Sequence, residues 1–445
     1  MLKGFRQLYL SNRFFWVLGC LILSFVLAFP LPAFLIVAQG LAVLFLAFIF
    51  LDVFLLYRSN IQLTCERVLP KLFNLGDENA VQLFVENKSS LPLTLKVLDE
   101  LPIQFQIRDF EQEIHLAAGA EKRLTYALRP VKRGAYDFGE SHLFIRSNFG
   151  LIERRLSFNK APMQVPVYPS IQQMKNMELI AFNRTTTAQG IKRIRRIGHS
   201  YEFEQIKNYV RGDDYRSINW KASSRRNNLM VNQYEDERAQ QVYCIIDKSR
   251  VMRMPFNELS LIDYAINSSL VISNIALQKY DKAGLITFSD KLGATIKADS
   301  KPTQLNKILT ALYKEKERPL EANYELLYYA SRKLISGRSL MLLFTNFESS
   351  YALERVLPVL RKINRMHLLV VVFFENTEIR DFANQTTETI EDIYHQTIAE
   401  KFLVEKAQMV QKLRQYGIQA VLTKPEDLSV NTVNKYLELK SRGLI

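Results

Sequence analysis

Asp213 and Asp214 stand side by side in YVRGDDYRSINWKASSRR, the run from Tyr209 to Arg226. Two carboxylates suit general acid and base work when both face one reacting atom. Neighbouring residues on a strand or turn point apart, so this pair does not meet that condition. Ser223 and Ser224 offer hydroxyl nucleophiles, but activation needs a base within hydrogen-bond reach. The nearest histidine in sequence is His199, and nothing in the pattern orients it. Gly212–Asp213 reads instead as a chain reversal after IKNYV, with Asp213 accepting backbone N–H groups. Arg216 and Arg225 then suit bidentate contact with carboxylates, and Trp220 suits a packed anchor. The segment is expected to be an ordered structural clasp, with a partner-docking surface as the competing reading. Arg211–Asp213 spells RGD, and the cytoplasmic placement argued below removes integrin binding from consideration.

Just upstream, IKRIRRIGH places Lys192, Arg193, Arg195 and Arg196 between isoleucines at a period of three. Such an amphipathic stretch suits an anionic lipid surface; nucleic-acid contact and a solvated loop are the alternatives. The whole chain is basic, with a formal net charge of +14 over 445 residues. That balance either favours anionic partners or marks membrane-proximal cytoplasmic protein. Charge alone supports nucleic-acid binding, which is not expected. Three cysteines, Cys20, Cys65 and Cys244, with no CxxC pair argue against a disulfide framework or a zinc site. The five histidines are scattered singly, none at metal-ligand spacing.

Four stretches must position these residues. Residues 1–58 read as a transmembrane helical hairpin, with spans at about 14–30 and 33–57. A helix needs roughly 20 apolar residues to cross the hydrocarbon; the second run is ample, and the first is short with Arg13 and Trp16 at its edge. An immediate second apolar run argues against a cleaved secretory signal. Lys3, Arg6 and Arg13 precede the first span and Arg58 follows the second, so both ends are expected on the cytoplasmic side of a plasma membrane. Asp52 near the exit reads as an interfacial acid. Residues 59–170 alternate apolar with polar in IQLTCERV, VQLFVEN and LTLKVLDE, which predicts an antiparallel β-sandwich of immunoglobulin-like type. Residues 171–239 read as a polar, basic connector holding the signature segment. Residues 240–445 alternate fully apolar strands, such as QQVYCIID and MHLLVVVFF, with helical patterns. That predicts a doubly wound α/β domain whose parallel sheet is covered on both faces. No GxGxxG or GxxxxGK[ST] follows any of these strands, so nucleotide binding has no support.

Tyr209, Gly212, Asp213, Arg216, Ile218, Trp220, Lys221, Ser223, Arg225, Leu229, Val231 and Glu235 fit Y-x-x-G-D-x-x-R-x-I-x-W-K-x-S-x-R followed by L-x-V-x-x-x-E. That pattern resembles domain of unknown function family 58. Lys207 stands where the family usually has arginine, and Ser224 where it often has alanine. The resemblance implies a hairpin anchor, a β-sandwich, the signature segment and a von Willebrand factor A-like domain. Such a domain normally holds magnesium through Asp-x-Ser-x-Ser, a threonine and a further aspartate. Here Asp247 and Ser249 match, Val251 replaces the second serine, and Asn346 stands at the further aspartate; Thr345, Asn323 and Glu348 are the candidates to compensate. Magnesium wants hard oxygen ligands in octahedral geometry, so this vestigial set is expected to bind it weakly or not at all, and no cofactor is expected. The family has no established activity, and its members are commonly associated with MoxR-type AAA ATPases in bacteria. The expectation is therefore a membrane-anchored, non-catalytic interaction scaffold at the inner membrane. It would contact lipid and an AAA ATPase in assembly or chaperone-like work. A metal-dependent enzyme is the alternative reading, and the oligomeric state has no signature in the sequence.

Overall fold

The computed structural model describes residues 7–29, 32–58, 61–108, 110–146, 149–178, 202–210, 213–235, 239–384 and 390–444, with the backbone alone at 32–33, 58, 202–205 and 233–235. The chain divides into two compact units, Met1–Tyr168 and Pro169–Ile445.

In the first unit a short strand β1 (Leu8–Leu10) leads into the apolar helices α1 (Asn12–Ala28) and α2 (Pro32–Arg58). Ser11 caps α1, accepting from Phe14 N–H at 3.4 Å and donating its hydroxyl to Gly150 O at 2.5 Å. Within α2, Phe34–Tyr57 spans 24 residues at a mean hydropathy of 2.7. At about 1.5 Å rise per residue that is long enough to cross a bilayer core of about 30 Å. The two helices pack on each other, with Phe14 against Phe45 at 5.4 Å between centroids. Their outer faces are apolar and exposed, as at Trp16, Ile36 and Phe50.

Strands follow: β2 (Leu63–Val68), β3 (Phe73–Asn74), β4 (Asn79–Asn87), β5 (Leu93–Asp99), β6 (Glu111–Leu116), β7 (Glu121–Leu128), β8 (Gly134–Phe138), β9 (Ser141–Arg146), β10 (Ile152–Phe158) and β11 (Met163–Tyr168). They form sheets β1-β10-β9-β5-β6, β2-β4-β7 and β3-β11-β8, antiparallel except for the β3–β11 pair. Period-two alternation buries one face of each strand; Leu83 and Val85 meet Leu95, Val97, Leu143 and Ile145 in one core. Phe45 and Leu56 of α2 belong to that same core, so the helices are packed into the strand module and are not merely tethered to it. Asp52 is fully buried, and its carboxylate accepts N–H groups from Leu151 at 3.0 Å and Ile152 at 2.9 Å. The sequence reading of an interfacial acid thus gains a specific partner. A buried Arg67–Asp99 pair joins Tyr126 and Ser141 in a network that the alternation pattern did not announce.

The second unit opens with a helical stretch, residues 171–178, and then a two-stranded antiparallel ribbon, β12 (Glu202–Asn208) with β13 (Met230–Glu235). The seven-residue helix α3 (Trp220–Arg226) lies between these strands. The stretch read as a polar connector therefore contains regular structure, because Ile206, Ile218 and Val231 supply a short apolar pattern. The main sheet runs β14 (Gln241–Asp247), a small ribbon β15 (Pro255–Phe256) and β16 (Leu259–Ser260), α4 (Leu261–Gln278), β17 (Lys282–Phe288), β18 (Leu292–Asp299), α5 (Gln304–Lys314), α6 (Tyr324–Leu334), β19 (Leu340–Phe344), α7 (Ser350–Met366), β20 (Leu368–Phe374), α8 (Thr377–Ala383), α9 (Ile390–Gln415), β21 (Gln419–Thr423) and α10 (Leu428–Ser441). Its order is β18-β17-β14-β19-β20-β21, parallel except for the edge strand β18. Helices α4, α5 and α10 cover one face, and α6, α7 and α9 the other. Strand order reverses beside β14, which opens a crevice at the carboxyl ends of the central strands. Among the elements not foreseen from sequence are the small ribbon β15–β16, β18, which is half exposed at the edge, and the short α8.

Candidate functional site

Asp247 ends β14 at that crevice and is fully buried. Its Oδ1 accepts the Ser249 N–H at 2.9 Å. Its Oδ2 accepts the Thr345 hydroxyl at 2.7 Å and the Tyr324 hydroxyl at 3.4 Å, and these two hydroxyls lie 2.7 Å apart. Burial pushes the carboxyl above its ordinary range, against the pull of these donors. The Ser249 hydroxyl is buried beside the carboxyl without hydrogen-bond geometry to any partner.

Asn346 follows Thr345 past the end of β19. Its Oδ1 accepts from Phe347 N at 3.0 Å and from Lys406 Nζ at 2.9 Å. Lys406, on α9, also donates to Phe347 O. Burial lowers the pKa of this ammonium to about 8. Lys248 turns elsewhere, to Glu315 at 2.6 Å, and Arg250 pairs with Glu321 at 3.2 Å and Glu348 at 3.6 Å. A cleft of about 210 Å³ adjoins the group, walled by Met254, Phe256, Phe374, Ile379 and Phe402, with Lys406 at its side.

The residues present do not fit magnesium. A hard dication needs several free oxygen ligands; here one carboxylate is capped by hydroxyl and backbone donors, and a cation already sits on Asn346. Among the described residues no three His, Cys, Asp or Glu side chains cluster to hold a metal. Thr345, weighed from sequence as a compensating ligand, reaches Asp247 as a hydrogen-bond donor. Tyr324 and Lys406 carried no sequence signal: each lies on a helix far along the chain from Asp247, among many similar residues.

In the signature segment, Asp213 accepts Val210 N–H at 3.0 Å and Lys207 Nζ at 2.9 Å, contacts that hold its carboxyl below the usual range in that order of weight. Asp214 accepts Arg216 N–H at 3.0 Å. Both acids thus serve the turn. The Ser223 hydroxyl donates to Asn219 O at 2.8 Å and accepts Met230 N–H at 2.9 Å, tying α3 to β13 with no base nearby. Tyr209 N–H donates to Leu229 O at 2.8 Å. Two expectations are corrected. Trp220 is 70 % exposed and not a packed anchor, since α3 turns Ser223 inward and its first residue outward. Arg216 stacks on Tyr215 at 5.7 Å, and neither it nor Arg225 forms an ion pair among the described residues. Lys221 is exposed. Val210, Tyr215, Trp220 and Leu229 together give this ribbon an exposed apolar surface. Glu235 closes the ribbon opposite Glu202. Gly212 and the basic cluster Lys192, Arg193, Arg195 and Arg196 lie outside the described residues.

Among curated proteins, the uncharacterized protein YeaD of Bacillus subtilis (strain 168) is 27 % identical over 179 residues, 39 % of this chain. The match covers 44 % of that relative, so the chain spans under half its length. Among solved structures, the CARDB domain of PF1109 from Pyrococcus furiosus is 17 % identical, covering 24 % of this chain and 93 % of that one at a TM-score of 0.19. PapD-like domain 7 of human CEP192 is 11 % identical, covering 25 % and 88 % at a TM-score of 0.20. The family model described as Protein of unknown function DUF58 matches residues 205–381, the span that holds the signature segment Tyr209–Glu235, Asp247 and Asn346.

Proposed function

We propose that the chain is a membrane-anchored, non-catalytic interaction scaffold working with a MoxR-type AAA ATPase in assembly or chaperone-like work. In this reading α1 and α2 form a two-span hairpin, and both soluble parts face the cytoplasm of a bacterial inner membrane. The strand module is an immunoglobulin-like sandwich, and the C-terminal sheet is von Willebrand factor A-like. One observation carries the non-catalytic reading: the acid that ends β14 at the sheet crevice, Asp247, is sealed by Ser249, Thr345 and Tyr324. It can neither move a proton to a substrate nor hold a metal without breaking those bonds. The basic residues flanking the helices support the orientation, and the reversal of strand order beside β14 supports the fold assignment. The partner class comes from the resemblance to domain of unknown function family 58. The exposed Tyr215–Trp220 surface is the docking face in this reading, since large exposed apolar patches mark interaction sites.

The test uses the full chain extracted in detergent. Native protein should retain an ATP-hydrolysing partner, and Tyr215→Ala with Trp220→Ala should release it while leaving the melting curve unchanged. An ATPase that stays bound to the double variant overturns the docking face, and a hydrolytic activity intrinsic to the purified chain overturns the non-catalytic reading.

A further inference from the structure

At the base of the first unit a polar pocket of about 600 Å³ is lined by Gln7, Gln62, Arg155, Ser157, Phe158 and Lys160, among others. Among the described residues no carboxylate lines it. Arg155 reaches it from β10, with Nη1 on the Tyr9 hydroxyl at 2.8 Å and Nη2 on His142 Nε2 at 2.9 Å. Glu100 Oε1 lies 2.8 Å from that same Nε2, while Nδ1 meets the Ser157 hydroxyl at 3.0 Å, so Arg155 is oriented beside a carboxylate but forms no ion pair with it among the described residues. Lys160 is exposed and makes no hydrogen bond or ion pair among the described residues. The pocket therefore presents two cations, two side-chain amides and a hydroxyl, the set that suits a phosphodiester.

Its position names the source of that group. Gln7 lies just before β1 and α1, and Gln62 just after α2. Exposed apolar side chains run down to Tyr9 and Leu10 on one side and to Phe54 and Leu55 on the other. Tyr9 and Tyr57 sit at that boundary, the depth that aromatic belts occupy. A pocket immediately beyond it lies in the headgroup layer, within a Debye length of the lipid phosphates. We propose that this pocket binds the phosphate headgroup of an anionic phospholipid, through Arg155 and Lys160. The inference rests on the membrane reading above and adds a specific lipid site to it.

The test is thermal unfolding of the detergent-purified full chain with phosphatidylglycerol, with phosphatidylcholine, or with inorganic phosphate at matched concentration. Phosphatidylglycerol should raise the melting temperature more than phosphatidylcholine, and inorganic phosphate should not. Lys160→Ala should weaken the phosphatidylglycerol effect about fivefold in concentration, as expected for one basic group at an anionic surface. Lys132→Ala, an exposed lysine beyond the opposite end of β4, should leave it unchanged. Equal shifts with both lipids, or no change in Lys160→Ala, overturn the proposal, and an equal shift with inorganic phosphate overturns the lipid as its source. Alkaline carbonate extraction of membranes separates the two readings. A chain retained by membranes but blind to phosphatidylglycerol refutes only the pocket, whereas a chain released by carbonate refutes the membrane reading and the lipid site together.

Discussion

Asp247 is buried at the end of β14 and Lys406 is half-buried against the β19 loop, and the hydrogen bonds of each are made with neutral groups. Their pH behaviour differs in sign. The Asp247 carboxyl is raised by burial, so its contribution to stability is full below the unfolded value near ~3.9 and fades as pH rises through the folded one. Asp247→Asn keeps an acceptor for Ser249 N–H and removes that penalty. It should melt close to the native chain at pH 4 and above it at pH 8, by calorimetry across that range. The Lys406 ammonium is lowered to about 8. Between that value and the unfolded ~10.4 the unfolded chain binds more protons, so stability rises with pH. The native chain should therefore gain on Lys406→Met as pH moves from 8 to 10, whatever their difference at pH 7. Magnesium should leave the melting temperature of the native chain unchanged at 1 mM. A site with a dissociation constant a hundredfold lower would add about 2.7 kcal/mol, and seeing that shift would restore the metal. The strand-end acid was legible in DKSRV, as were Val251, which offers no oxygen where a serine is expected, and Asn346, which lacks the expected carboxylate charge. Lys406 was not, because only the fold brings the middle of α9 onto the β19 loop.

The signature ribbon is held by backbone bonds and one inward hydroxyl. Ser223→Ala leaves Met230 N–H without its partner in a buried setting, which costs about 1–3 kcal/mol. The neighbouring Ser224→Ala touches only an exposed bond to Lys221 O and should cost under about 0.5 kcal/mol. Comparing the two melting curves separates a turn that holds itself together from one that merely displays side chains. Trp220→Ala belongs with Ser224 in this comparison, since its ring is in solvent and not in a core. Sequence reasoning read the turn chemistry of Asp213 correctly because an Asx-type turn is local. It misplaced Trp220 because a single tryptophan on a short helix has no periodic partners to show which way it faces. The same limit explains β18. LGATIKAD alternates weakly, lies at a sheet edge and is half exposed, so no apolar run marked it. The continuous apolar strands β14, β19 and β20 were visible at once, since burial on both faces leaves a long hydrophobic string.

At the scale of the molecule, the proposed orientation is checked with a new thiol. Cys65 and Cys244 are buried, and burial raises each thiol to about 12, so neither reports on sidedness until the chain unfolds. Lys132→Cys puts a thiol on an exposed turn of the strand module. It should resist an impermeant maleimide in intact cells and react after lysis without denaturant; labelling from outside would invert the topology. The pairing of β1 with β10 also sets a schedule. Leu8–Leu10 lies at the start of the chain, and its partners Ile152–Arg154 are synthesised about 140 residues later. At about 5–20 residues per second the ribosome needs roughly 7–30 s to supply them. For most of that wait, once Arg58 has been added, both apolar helices have been made, but the N–H groups that Asp52 accepts from do not yet exist. In the membrane reading proposed above, insertion into lipid then comes before closure of the sheet, and the nascent chain passes through a stage with an open sheet edge and an uncapped acid. That stage is where a co-translational chaperone would find its longest opportunity.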